Sequence, residues 1–441
     1  MPHLGLALVR VLSFVEWEHP KIDGPHYHFI PRNLVLRHFG KQALKDHAMS
    51  ETVSAPIVIG WQVGVPSGWG TYGLNLAVQL CTKGIDVGLP FLAQTLNVTS
   101  EQNALLKPAL GAHRDYQALS NEETGRQLSS TFLRALGDGL DFPPFLDPWS
   151  GQPDVGVVFF ESAAIPPENV TRAAGLDAII AGSSWNAEVL ESAGLTNVFN
   201  CPQGIDPTLF YPGQKTNRFG DRFTVFSGGK LEYRKGQDLV VAAFKRFHER
   251  HPEALLVTAW HNPWPEAAQS LSVSPHVETV PGTDAAGNLD VAAWLQAEGL
   301  TADSFVDLGR LANGETPSVL WEMDVALFPN RCEGGTNLVA MEAMACGVPC
   351  IVSRNTGHLD LFGDNTCFGI DLQIPLGEVT GRKDLEGWGE SSIEELVQKM
   401  EIAFTDSEQS RTVAANGSRF MAEWSWSAQV DRLIEVIGKV S

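Results

Sequence analysis

One stretch, Asp324 to Ser353 (DVALFPNRCEGGTNLVAMEAMACGVPCIVS), restricts the fold of this chain more than any other. It opens on an apolar run, Val325 to Phe328, of strand length and closed by Pro329. A loop from Asn330 to Asn337 carries an acid and two glycines, Glu333, Gly334 and Gly335. Leu338 to Cys346, rich in Ala and Met, reads as a buried helix. Gly347 stands where a left-handed C-cap belongs, and Pro349 prevents the helix continuing. Cys350 to Val352 is a second apolar strand. Strand, glycine loop, helix and strand make one βαβ unit. Free amides at such a helix start attract anions, and glycines let a phosphate approach the backbone closely.

Two carboxylates flank that anion site, Glu333 in the loop and Glu342 just over a turn inside the helix. A phosphate repels both. Hydroxyls on either side of it, such as a sugar and a ribose offer, could donate to them. The same pattern equally describes an ordinary βαβ unit with a solvated acid and a helix-face acid.

The segment resembles the signature of retaining glycosyltransferases of family 4, which have the GT-B fold. The family's two acids, small-residue loop and Ala-Met-Ala-Cys-Gly-like helix end correspond to Glu333-Gly334-Gly335, Glu342 and Ala343 to Val348. Between the acids stand Gly334 to Met341, one residue more than the family usually has. We read Thr336-Asn337 as a one-residue loop extension that keeps Glu333 in role. The resemblance implies that Glu333 meets the donor sugar, Glu342 the ribose, and Gly334 to Leu338 the donor phosphates.

A second motif lies about a hundred residues earlier. Thr224-Val225-Phe226 reads as a strand and Ser227-Gly228-Gly229-Lys230 as a glycine turn, with Lys235 before Gly236 and a helix through Phe244. Alone, two lysines in a glycine loop are ordinary surface charge. Beside the first motif they resemble the family's basic pair, which grips the donor diphosphate with the backbone of Gly228 and Gly229. A leaving nucleoside diphosphate gains negative charge as the glycosidic bond breaks, and fixed cations stabilise that charge. By the same resemblance the nucleobase packs near Leu308 to Leu311.

The first part of the chain is looser. Ile57 to Ile59 is a strand, Gly64 to Gly73 a glycine-rich loop and Leu74 to Thr82 a helix. Gly68-Trp69-Gly70-Thr71-Tyr72-Gly73 matches GxGxxG, so an NAD-dependent oxidoreductase is one alternative. Against it, Gln62 to Ser67 separate the glycines from the strand, and the next strand tip, Pro90 to Ala93, has no acid. In the resembled family this loop faces the interdomain cleft, which gives Gly68, Trp69, Gly70 and Thr71 an acceptor-side role. Glu161 follows the buried strand Asp154 to Phe160 at the edge where open α/β sheets place ligands. It reads as an acid touching acceptor or sugar, or equally as a helix cap. Ser183 to Asn186 cap a helix from Ala187 to Ser192, and Asn200 to Pro212 resembles the crossing to the second domain. Asn262 to Gly299 is a loop-rich insertion, and His358 is either acceptor-side or a surface histidine.

The expected fold is α/β, a GT-B pair of facing Rossmann-like α/β/α domains with a cleft between them. Residues 1–53 are an N-terminal extension of unclear role, 54–212 the acceptor domain, 213–415 the nucleotide-sugar domain and 416–441 a helix crossing back. The extension holds His26 to His28 and a basic segment from Pro31, and a membrane-surface role for it is the lesser reading. The chain has 441 residues, 44% hydrophobic and 19% charged, as a two-domain globular enzyme has. A net charge of -21 argues against nucleic acid and against broad adhesion to anionic lipid. Six cysteines without a CxxC pair support neither a zinc site nor a disulfide framework, and point to a reducing compartment.

The expectation is thus a cytoplasmic glycosyltransferase, at most peripheral at the inner membrane face. It needs no cofactor and no metal. Its partners are a nucleotide-sugar donor and a glycan, lipid-linked or small-molecule acceptor. Lys230, Lys235, Glu333 and Glu161 carry the chemistry. A non-catalytic sugar-binding protein on the same fold is the other alternative, suggested by the altered spacing of the acids.

Overall fold

The computed structural model describes residues 56–441 except Pro66 and residues 121–124. The extension at 1–53, with His26 to His28 and the segment from Pro31, lies outside the described residues.

The first domain runs β1 (Ile57–Ile59), α1 (Gly68–Thr82), β2 (Val87–Gly88), α2 (Ser100–Ser120), β3 (Arg126–Gln127), β4 (Thr131–Leu136), β5 (Trp149–Ser150), β6 (Asp154–Val158), α3 (Pro167–Ala173), β7 (Ala178–Ala181), α4 (Ser184–Ser192) and β8 (Val198–Asn200). Six strands form a parallel sheet ordered β2-β1-β4-β6-β7-β8, and β3 and β5 form a separate short pair. Strands such as Ala-Ile-Ile-Ala of β7 are apolar at every position because helices cover both faces of the sheet.

The second domain holds β9 (Phe223–Lys230), α5 (Gln237–His248), β10 (Ala254–His261), α6 (Val291–Ala297), β11 (Phe305–Asp307), α7 (Thr316–Leu320), β12 (Val325–Phe328), α8 (Leu338–Ala345), β13 (Cys350–Ser353) and β14 (Phe368–Ile370). A hairpin of β15 (Gln373–Pro375) and β16 (Gly389–Ser391) encloses α9 (Leu376–Thr380), and α10 (Ile393–Thr405) and α11 (Ser407–Ala422) follow. This parallel sheet is ordered β11-β10-β9-β12-β13-β14. The order reverses between β9 and β12, and the carboxyl ends of strands at such a reversal are where α/β sheets bind ligands. Helix α8 is apolar nearly all round and buries Ala340, Met341 and Ala343 to Ala345.

The last helix, α12 (Trp426–Val440), returns to the first domain. Its Trp426, Val430, Leu433, Val436 and Ile437 share one core with Leu76 and Val157. Helix α11 stays on the second domain, where Met421 packs with Met344. A boundary at 415/416 therefore falls inside α11, and the crossing occurs at Glu423 to Ser425. There Ile205 clasps the chain: its N–H donates to Trp424 O at 2.9 Å and its carbonyl accepts from Trp426 N at 3.0 Å.

Three local expectations are corrected. Gly68 to Gly73 form the first turns of α1, capped by Ser67, whose hydroxyl accepts from Gly70 N at 3.2 Å. Ser227 to Lys230 are not a turn but the end of β9, because β10 pairs with every residue through Lys230 opposite His261. The segment 262–299 contains a 3-10 helix, Pro265–Val273, and α6, whose Leu271, Trp294 and Leu295 enter the main core.

Candidate active site

The end of β9 runs across the start of α8: a Cβ on Gly228 would lie 3.1 Å from Val339 Cγ1. Gly229, at φ +122°, faces open space. A tight turn, Tyr233–Lys235, follows Lys230 and ends at Gly236. Gly236 has φ +72°, and a Cβ there would sit 2.3 Å from Pro329 O, so only glycine brings this turn onto the loop after β12. The result is a compact charge cluster. Lys235 Nζ lies 2.5 Å from Glu333 Oε1, and Arg234 Nη1 lies 3.3 Å from Glu333 Oε2. Arg234 Nη2 also meets Glu232 at 2.6 Å and Glu161 at 2.9 Å. Lys230 stands at the edge, 3.6 Å from Glu232.

Glu333 and Lys235, assigned by the sequence to sugar and diphosphate, thus touch each other. Glu333 is 5% exposed and also accepts from Asn330 Nδ2. Burial opposes its ionisation, but Lys235 and Arg234 outweigh that and hold its carboxyl down at about 2. Its backbone N–H donates to Thr356 Oγ1 at 2.8 Å. The extra loop residue thus leaves Glu333 in contact with Lys235 and Arg234.

Asn337, at φ +59°, precedes α8 without capping it through its side chain. The Asn337 amide instead donates to His358 Nε2 at 3.0 Å. His358 Nδ1 lies 2.9 Å from Ser353 Oγ, whose proton goes to Asn330 O. His358 is fully buried, and burial brings it down to about 4, so it is a neutral strut. It is neither a surface histidine nor exposed to an acceptor. One turn into α8, Glu342 is half-buried, its carboxyl has no hydrogen-bond or ion-pair partner among the described residues, and burial pushes that carboxyl up to about 8. Leu308 and Leu311 are half-buried against the core that holds Met344 and Met421, and Leu308 N donates to Thr258 O at 2.8 Å.

The first domain closes on this cluster. Gly334 and Gly335 are pressed against it rather than open to a ligand: a Cβ on Gly334 would lie 2.3 Å from Phe159 O and 2.5 Å from Phe160 O. Gly334 O accepts from Ser183 Oγ at 2.7 Å, and Thr336 is fully buried. Ser184 N donates to Asp360 Oδ2 at 2.8 Å. Glu161 supplies its carboxylate to Arg234 and its carbonyl to Trp388 Nε1 at 2.5 Å. It is an interdomain link, not a helix cap. Trp69 packs edge-on against Phe159 at 5.0 Å, which places the start of α1 behind the Gly334 contact. Gly68 borders open space and Thr71 is half-buried. Gly70 and Gly73 serve packing, since their Cβ atoms would lie 2.1 Å from Val65 O and 2.6 Å from Trp61 Nε1. The dinucleotide pattern thus has a packing cause.

Sequence reasoning missed the fully buried Arg331, which pairs with Asp238 at 2.6 Å and Glu390 at 2.9 Å and lies 3.7 Å over the Tyr233 ring. Arg234 joins the two domains through its pair with Glu161. Among the described residues, no group of three or more His, Cys, Asp or Glu is placed to hold a metal ion.

Residues 213–370 match the family described as glycosyl transferases group 1. Over 85% of this chain and 87% of the relative, the sequence is 27% identical to a D-inositol 3-phosphate glycosyltransferase of Stackebrandtia nassauensis. Over 54% of each, it is 24% identical to a GDP-mannose-dependent alpha-(1-6)-phosphatidylinositol monomannoside mannosyltransferase of Mycobacterium tuberculosis. Among solved structures, Anabaena HepE in complex with UDP and glucose aligns with a TM-score of 0.57 at 14% identity, covering 87% of this chain and all of that one. Sucrose-phosphate synthase from Thermosynechococcus elongatus aligns at 0.58 and 16%, covering 87% and 98%.

Proposed function

We propose that this chain, on its GT-B fold, is a group 1 glycosyltransferase that transfers a hexose from a nucleoside-diphosphate sugar to an acceptor hydroxyl with retention. The carrying observation is the uncapped start of α8 beside the Gly228-Gly229 strand end, with Lys235 and Arg234 paired to Glu333 in the loop before it and Lys230 at the edge of that cluster. Cations and helix amides there suit a diphosphate and the charge it gains on leaving. Glu342, unpaired one turn further in, suits ribose hydroxyls. Glu333 suits a sugar hydroxyl, and Glu161, reaching the same cluster from the first domain, suits the acceptor. The acceptor oxygen bonds to the anomeric carbon on the face the phosphate leaves, and the acceptor proton passes to the departing phosphate oxygen. In this reading no bound cofactor or metal is required, because fixed cations take up the leaving charge.

The acceptor is a glycan, lipid-linked or small molecule, not a nucleic acid. The two relatives named for inositol and phosphatidylinositol substrates favour a polyhydroxylated one. A cytoplasmic location belongs to the same reading, and no helix among the described residues is long and apolar enough to cross a membrane.

Calorimetry with UDP, GDP, ADP and NAD tests the proposal. One nucleoside diphosphate binds and NAD does not, and Lys235→Ala lowers transfer by roughly 10²–10³-fold, as loss of one charge-stabilising group does. Full turnover in Lys235→Ala, or preferential NAD binding, contradicts it.

A further inference from the structure

The hairpin of β15 and β16, with α9 and the turn Lys383–Leu385 inside it, walls a cavity of about 450 Å³. That size lies within the range of small-molecule sites, about 300–1,000 Å³. Buried Leu376 and Leu385 anchor the hairpin in the main core of the second domain. Asn355 Nδ2 pins it further, donating to Gln373 Oε1 at 2.9 Å and Gly389 O at 3.2 Å. Asn355 directly precedes Thr356, which holds the Glu333 amide, so the cavity adjoins the cluster.

The far wall of the cavity reaches the first domain. Glu386 O accepts from Ala163 N at 3.1 Å, and Trp388 donates its indole N–H to Glu161 O. A Cβ on Gly387 would lie 2.9 Å from Trp185 Cζ2, so glycine permits this contact. Trp388 in the cavity wall is therefore hydrogen-bonded directly to Glu161 of the Arg234–Glu161 pair.

We propose that this cavity is an acceptor subsite taking an uncharged sugar ring. This rests on the transferase reading and assigns part of the acceptor site to the second domain. The chemistry of the lining selects the ligand. Trp388 offers an indole for the apolar face of a ring. Glu378 and Glu386 can accept from hydroxyls and Lys383 can donate to them, and none of the three side chains has a partner among the described residues. Arg382 is taken up by Asp384 at 3.2 Å. Two free carboxylates against one free ammonium disfavour a phosphate and suit a polyol.

Saturation-transfer NMR on the full chain, with saturating UDP or GDP and with methyl α-glucoside and methyl α-mannoside as probes, tests the subsite. The exposed double variant Glu378→Gln/Lys383→Ala is expected to weaken the better glycoside about tenfold, the worth of one or two hydrogen bonds, with nucleotide affinity unchanged. Equal glycoside affinity in variant and wild type overturns the subsite, as does absence of any glycoside signal. The nucleotide arm is read separately by calorimetry. Failure of the wild type to bind any nucleoside diphosphate defeats the donor reading, whatever the glycosides do.

Discussion

Glu342 and Glu333 lie nine positions apart in one loop and helix, yet their environments drive their protons in opposite directions. Burial raises Glu342 from its ordinary 4.5 to about 8. The native state therefore binds a proton that the unfolded chain has lost, so stability falls as pH rises from 4.5 toward 8. Glu342→Gln removes that fall. Urea denaturation is expected to show similar stability at pH 5 and a gain on the order of 3 kcal/mol at pH 8–9. If ribose hydroxyls donate to the Glu342 carboxylate, nucleoside diphosphate binding at neutral pH releases a proton. Calorimetry in buffers of different ionisation enthalpy detects it, and Glu342→Gln abolishes it. Glu333 is already ionised, and its neighbours are the cations assigned to the diphosphate. Glu333→Gln frees Lys235 and Arg234, so the free diphosphate should bind at least as tightly while sugar transfer falls. Weaker binding of the free diphosphate would instead make Glu333 an organiser of the cations.

Elements were legible where burial writes itself into local pattern. Strands such as β7 and β12 are covered on two faces and appear as unbroken apolar runs, and α8 is marked by Gly347 and Pro349 after its end. Glycine misled in α1 and β9 for the same physical reason. It signals a break by default, but here α1 needs it to pack on Val65 and Trp61, and a ladder with β10 carries β9 through it. The Arg331 cluster left no local trace because its partners, Asp238 and Glu390, lie far away in the chain. Arg331 and Asp238 are fully buried and tie the Glu333 loop to the first turn of α5 and to β16. Arg331→Met leaves the fully buried Asp238 carboxylate without its ion pair and should cost about 3–5 kcal/mol, measured by urea denaturation. Acid unfolding provides a second readout. Burial opposes ionisation of Glu390, but His276 and Arg331 outweigh it and hold the carboxyl at about 2. That stabilisation is complete above 4.5 and is lost as pH falls toward 2, so the variant should unfold at a higher pH than the wild type.

At the scale of the molecule, the two α/β halves and the returning last helix were readable, but the way the halves touch was not. No motif announces that Gly334 is a docking point. Its glycine looks like phosphate-loop chemistry, whereas the space beside its Cα is filled by the backbone of Phe159 and Phe160. Contacts between backbones cannot relax by a rotamer change. Gly334→Ala should therefore push the first domain off the loop. The Ser183 bond to Gly334 at 2.7 Å and the Arg234–Glu161 pair at 2.9 Å would be lost together. The cations, the start of α8 and Glu342 all belong to the second domain and stay in place. Affinity for the free nucleoside diphosphate should then hold while transfer falls by about 10²-fold, the cost of misplacing a reacting partner by an ångström or so. Small-angle scattering should show a larger radius of gyration in the variant. An unchanged radius with full turnover would mean that the loop yields locally, and that transfer does not depend on Gly334 meeting the first domain.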